Sequence, residues 1–109
     1  MATLDFNALK KTYLTVILPD ENKTKLLITT PSKTVLDGFI AIKDQLSADE
    51  LGDEAIDELY EIVAKVLSYN KTKVKITKET IEELFDFEDV IVFLRSYTNF
   101  ISEVSNSKN

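Results

Sequence analysis

The stretch Thr77 to Val104, TKETIEELFDFEDVIVFLRSYTNFISEV, constrains this chain more than any other. Four of its six phenylalanines, Phe85, Phe87, Phe93 and Phe100, fall here together with Tyr97. Val90, Leu94, Tyr97, Ile101 and Val104 recur at steps of 4, 3, 4 and 3, which is one stripe of an α-helix. Ile91, Phe93 and Phe100 lie beside that stripe and widen it beyond what one neighbouring helix covers. A helix this apolar has to be buried in a core or covered by something else. Asp86 marks a break. It reads as the N-cap of the long final helix, with Glu88 and Asp89 in the first turn, where the helix dipole favours carboxylates. Before it, Thr77 caps a short helix over Lys78 to Phe85, with Ile81, Leu84 and Phe85 apolar.

The rest of the chain has to supply the cover. Thr12 to Leu18, TYLTVIL, is β-branched and aromatic and reads as a strand, with Tyr13, Thr15 and Ile17 on one face and Leu14, Val16 and Leu18 on the other. Pro19 to Asn22 forms a turn, and Lys25 to Thr30 returns as the second strand of a hairpin. A lone hairpin is marginal in water, so it must pack on helices or pair with another edge. Ser32 caps a helix whose Val35, Phe39, Ile42 and Leu46 face inward, and Gly38 within it reads as a place of close approach. Ala55 to Tyr69 forms the next helix, with Ile56, Leu59, Val63, Val66 and Leu67 inward and Tyr60 flanking. Asn70 is placed as its left-handed cap. Val74 to Ile76 is read as an extended piece or a third strand beside the hairpin.

The expected fold is therefore α+β and mostly α: an N-terminal β-hairpin packed on a bundle of three to four helices. The 109 residues suit one domain spanning 1–109, with 1–11 a flexible arm, 12–30 the hairpin, 33–105 helical and 106–109 a frayed tail.

Composition narrows the chemistry. The chain has no cysteine and no histidine, so disulfides, thiolate metal sites and serine–histidine or cysteine–histidine hydrolysis are out of its reach. Neither an enzyme nor a cofactor is expected. The acidic connection Ser47 to Asp53 lacks the regular spacing of a calcium loop and reads as solvated. The carboxylates Glu82, Glu83, Asp86, Glu88 and Asp89 could be paired for glycoside chemistry, but caps, dipoles and solubility account for them. A formal charge of −6 repels a phosphate backbone. The helix–corner–helix from Ile76 to Tyr97 also fails as a nucleic-acid reader, because its second helix opens on Glu88-Asp89 and carries only Arg95 as a base. Lys71, Lys73, Lys75 and Lys78, with Lys65 nearby, read as a solvated loop. The longest apolar run, Val90 to Leu94, is far short of the roughly 20 residues of a membrane span, and the N-terminus has no signal-peptide core, so a soluble cytosolic protein is expected. The surplus of apolar side chains on the last helix points to binding, with Phe87, Phe93, Tyr97 and Phe100 as candidate partner or self contacts.

Two segments, KKTYLTVILPDENKTKLLITTPSK and ITKETIEELFDFEDVIVFLRSYTNFISEV, separated by an acidic two-helix middle, give the chain a family resemblance. It resembles the small tail assembly chaperones of long-tailed siphophages, or prophages, of Gram-positive bacteria. The likeness runs from Lys10 to Asn109 and is strongest at Leu84-Phe85-Asp86-Phe87-Glu88-Asp89 and the helix that follows. The resemblance implies a protein that binds the hydrophobic tape measure protein, keeps it soluble and helps the major tail protein polymerise around it. It implies residence in the host bacterial cytoplasm, absence from the mature virion, and in many members a longer form made by frameshifting. It supplies no catalytic residues. Two alternatives stand beside it: a small acidic phage-encoded regulator, and a structural tail subunit whose hairpin edge extends a ring. Self-association into a homo-oligomer through the hairpin edge or the last helix is compatible with each.

Overall fold

A computed structural model describes residues 2–6, 11–46 and 52–106. Strands β1 (Leu14–Ile17) and β2 (Lys25–Ile28) form an antiparallel pair, followed by helices α1 (Lys33–Leu46), α2 (Asp53–Ser68), α3 (Lys78–Leu84) and α4 (Phe87–Asn106). The class is α+β, mostly α, with the hairpin N-terminal.

The hairpin is shorter than its β-rich sequence suggests because the turn takes residues from both strands. The Leu18 amide donates to the Thr24 carbonyl at 2.8 Å and closes the turn. Inside it, Asp20 accepts from the Thr24 amide at 2.8 Å and from its hydroxyl at 2.6 Å. Those bonds hold the Asp20 carboxyl below its ordinary pKa. Lys23 takes a left-handed φ of 50°, next to the asparagine that more often does so. The faces fall as the alternation requires: Leu18, Leu26 and Ile28 are buried, and Thr15 and Ile17 are exposed.

The centre of the molecule is α2, not α4. Leu59, Ile62, Val63, Ala64, Val66 and Leu67 are all buried, and α1, α3, α4 and β2 pack around them. Buried side chains from the hairpin and all four helices join one apolar cluster. Ile62 and Ala64 were not foreseen as inward residues, whereas Ile56 is only half-buried. Gly38 explains how α1 comes so close: a Cβ there would meet Ile62 Cδ1 at 2.9 Å.

In the exit from α2 one sequence expectation fails and one is narrowed. Asn70 is not a left-handed cap; the cap residue is Tyr69, with φ −88°. Asn70 is instead buried, and its side chain ties four groups together. Its amide nitrogen donates to the Leu67 and Val74 carbonyls, each at 2.8 Å, and its oxygen accepts from the Val74 amide at 3.0 Å and the Thr72 hydroxyl at 3.2 Å. Of the two readings of Val74 to Ile76, an extended piece or a third strand, the strand is not formed. Residues 69–71 run beside β2, with the Thr29 amide donating to the Tyr69 carbonyl at 3.0 Å and the Lys71 amide to the Leu27 carbonyl at 2.9 Å. Val74 to Ile76 leaves the sheet because the Ser68 hydroxyl captures both the amide and the carbonyl of Ile76 at 2.8 Å.

The α3–α4 corner follows its caps. The Thr77 hydroxyl accepts from the Thr80 amide at 3.2 Å. Asp86 and Asp89 accept from each other's backbone amides at 2.8 and 3.0 Å, a reciprocal capping pair built from two aspartates. Position 1, residues 7–10 of the arm, most of the acidic connection at 47–51, and the tail at 107–109 lie outside the described residues.

Candidate functional site: an apolar groove between α1 and α4

The long helix α4 buries an aromatic face. The Tyr97 ring meets Phe39 edge-on at 4.9 Å, stacks with Phe93 at 5.8 Å and tilts against Phe100 at 6.3 Å. Aromatic pairs of this kind are favoured at such spacings and remove large areas from water. Phe93, Tyr97 and Phe100 are therefore core residues, with Tyr97 1% exposed. Burial also raises the Tyr97 phenol well above its ordinary pKa, so it is neutral at physiological pH. These three candidate partner contacts are thus turned inward in this structure. Of the four candidates only Phe87 is on the surface, at 42% exposed.

Phe87 is not isolated. Ile91 follows it by one turn, and Arg95 and Thr98 continue the same face of α4. That face and α1 bound a groove of about 410 Å³, lined by Phe39, Ile42 and Lys43 from α1 and by Ile91, Leu94, Arg95, Thr98 and Asn99 from α4. Apolar side chains line most of it, and Lys43 and Arg95 provide its two cations. Ile40, 47% exposed, stands beside Lys43 on α1. Arg95 makes no ion pair among the described residues. Gly38 seats α1 against Ile62 of α2, Phe39 of α1 meets the Tyr97 ring of α4, and the groove lies between these two helices. Sequence reasoning recognised the apolar excess of α4 but could not see that α1 supplies the opposite wall. The signal it lacked was Ile40, out of phase with the inward stripe of its helix.

The other sequence candidates disperse. Lys78 is drawn between Asp57, at 3.5 Å, and Glu82, at 4.0 Å, and Lys65 lies 3.6 Å from Glu61. Lys71 and Lys73 instead join Lys11, Tyr13 and Tyr69 around a polar concavity, with the Lys71 ammonium 5.4 Å from the Tyr13 ring centre. In the acidic cluster, Asp86 and Asp89 engage each other's amides and Glu82 faces Lys78. The Tyr60 hydroxyl reaches the Phe85 carbonyl at 3.5 Å, and desolvation, with Asp86, Glu82 and Asp89 adding to it, raises the Tyr60 pKa. No group of three or more carboxylates among the described residues is placed to hold a metal ion, and no described helix is long and apolar enough to cross a membrane. Comparison with protein-family models, with curated proteins and with solved structures finds no match.

Proposed function

We propose that this chain is a phage tail assembly chaperone that holds an apolar helical segment of the tape measure protein in the groove between α1 and α4. The observation that carries this reading is the groove itself: Phe39 and Ile42 of α1 and Ile91 and Leu94 of α4 line it, and exposed Phe87 stands one turn from Ile91 on α4. An amphipathic helix laid in such a groove buries one face at positions spaced by a turn. The net charge of −6 keeps the complex in solution while the client's apolar face is hidden. The client in this proposal is taken from the resemblance of the segment around Leu84 to Asp89 to tail assembly chaperones, and it is seated in the groove. On this reading the protein works in the host bacterial cytoplasm, acts with the major tail protein as the tube polymerises, and leaves before the virion is complete.

Co-expression with the tape measure protein encoded beside it tests the proposal. The wild-type chain should keep that protein in the soluble fraction. Phe87→Asp and Ile91→Asp should each abolish the rescue while the far-UV circular dichroism stays that of the folded chain. Failure of the wild type to rescue removes the chaperone reading. Rescue that survives both variants removes the groove from it. Mass spectrometry of purified virions separates a chaperone from a structural tail subunit, since only the latter is present.

A further inference from the structure

The end of the hairpin away from its turn meets the exit of α2 at a basic hollow. β1 begins there, β2 ends there, and residues 69–71 run beside β2. The register that pairs Leu14 with Ile28 sets Tyr13 beside Thr29, and the bridge sets Asn70 beside Ile28. Ile28 and Asn70 are buried on the core side, so the alternation of a sheet turns Tyr13, Thr29 and Lys71 to the outer face. There the Lys71 side chain reaches over β2, and its ammonium lies 5.4 Å from the centre of the Tyr13 ring. The Lys73 amide donates to the Asn70 carbonyl at 3.1 Å, closing a turn in which Lys73 takes a left-handed φ of 60°. Lys11 arrives from the other end of the chain. The three lysines line a concavity of about 790 Å³, with Tyr13, Thr30 and Tyr69 among its other lining groups.

Charge sets this hollow apart from the rest of the molecule. The chain carries a net charge of −6, yet no carboxylate lines the concavity. None of Lys11, Lys71 and Lys73 makes an ion pair among the described residues. Three like charges lining one hollow repel one another, and an anion bearing several charges relieves all of them together. We propose that the concavity binds an acidic peptide segment of a partner protein, a short stretch carrying several aspartate or glutamate carboxylates. Pockets of roughly 300–1,000 Å³ take ligands much larger than one carboxylate or phosphate ion, and this hollow falls in that range. A nucleic acid fits less well. Its strand runs on past the hollow with a phosphate at every nucleotide, and the chain without these three lysines is more acidic than the whole. A peptide can confine its carboxylates to the hollow. Lysine suits it, because an ammonium accepts carboxylates from any direction without the planar fork of arginine. This surface is separate from the α1–α4 groove and does not depend on the client.

Titration with a capped hexa-aspartate peptide, followed by NMR amide shifts and by calorimetry at low salt, tests the assignment. The wild type should bind the peptide below millimolar concentration, with the shifts gathered at Thr29, Thr30 and residues 69–73. Added salt should weaken the complex. Lys11→Gln should weaken it about two- to five-fold, the worth of one exposed ion pair. Lys71→Gln combined with Lys73→Gln should weaken it about four- to twenty-five-fold on the same scale. Lys23→Gln combined with Lys25→Gln removes equal charge at the turn end of the hairpin and should change the affinity by less than about two-fold. A wild type that leaves the peptide unbound at millimolar concentration overturns the proposal. Equal loss from the two lysine pairs overturns it as well, because net charge alone would then account for binding. So does tighter binding of a short oligothymidylate of matched charge, which would make the hollow a nucleic-acid site.

Discussion

Replacing Asn70 by alanine tests the joint between the hairpin and the helices. The residue is 5% exposed, and its side chain makes four hydrogen bonds, to Leu67, Thr72 and twice to Val74. All four are lost together. The Leu67 carbonyl suffers most. Its usual helical donor, the Lys71 amide, is already committed to Leu27 on the sheet. Without Asn70 it is left inside with no donor, at a cost of about 1–3 kcal/mol. Thr72 and Val74 are exposed, so water can replace much of what they lose. The remaining bonds contribute about 1 kcal/mol between them on that account. The expected loss is about 3 kcal/mol, or roughly 10–15 °C in Tm for a domain of this size. Urea and thermal unfolding followed by circular dichroism measure it, and an unchanged urea dependence shows that the unfolded state is unaltered. Asn70→Asp should lose at least as much at neutral pH, because it presents oxygen to two carbonyls in place of the NH₂ group. A loss below about 1 kcal/mol for both variants would refute this account of the joint. The backbone bonds from Thr29 to Tyr69 and from Lys71 to Leu27 would then hold it alone.

Phe93→Asp should abolish the fold, seen as loss of helical circular dichroism, since the ring stacks on Tyr97 inside the core. The milder Phe93→Ala should cost about 3–5 kcal/mol in urea unfolding. Gly38→Leu should drive α1 off α2 and cost about 1–3 kcal/mol. Gly38→Ala paired with Ile62→Val, which removes the Cδ1 atom in the way, should be nearly neutral by the same assay. The depressed pKa of Asp20 means that its carboxylate is stabilised by the turn above the ordinary value of 3.8, and that this contribution is lost as pH falls through the lower folded value. Protection of the Thr24 and Leu18 amides, taken relative to the intrinsic exchange rate at each pH, should fall below about pH 4, and Thr24→Val, which deletes the hydroxyl donor, should lessen that pH dependence.

Local chemistry made much of the fold legible. β-branched alternation around Val16 and the proline-led turn specified a hairpin, and the structure trims it by a few residues because Leu18 and Thr24 close the turn early. Thr77 and Asp86 cap α3 and α4 where short polar side chains before apolar periodicity placed the caps. These features depend on a residue and its near neighbours, so a sequence carries them.

Whether an apolar side chain is covered is a different kind of property. Periodicity says which residues share a face but not which other face meets it. Phe93, Tyr97 and Phe100, candidate partner contacts from the sequence, lie inside, where Phe39 of α1 joins the same ring cluster. Asn70 has the chemistry of a helix cap, yet long-range packing buries it, and it satisfies a carbonyl whose own donor was taken by the sheet. The sequence by itself determined the helices and the hairpin, the caps at Thr77 and Asp86, and the apolar excess of the last helix. Tertiary structure alone decided that α2 is the centre, that α1 and α4 bound a groove, and that no described residue pairs with the outer edge of β1. Helix formation and capping are settled within a few residues along the chain, whereas burial is settled by whichever distant surface arrives to exclude the water.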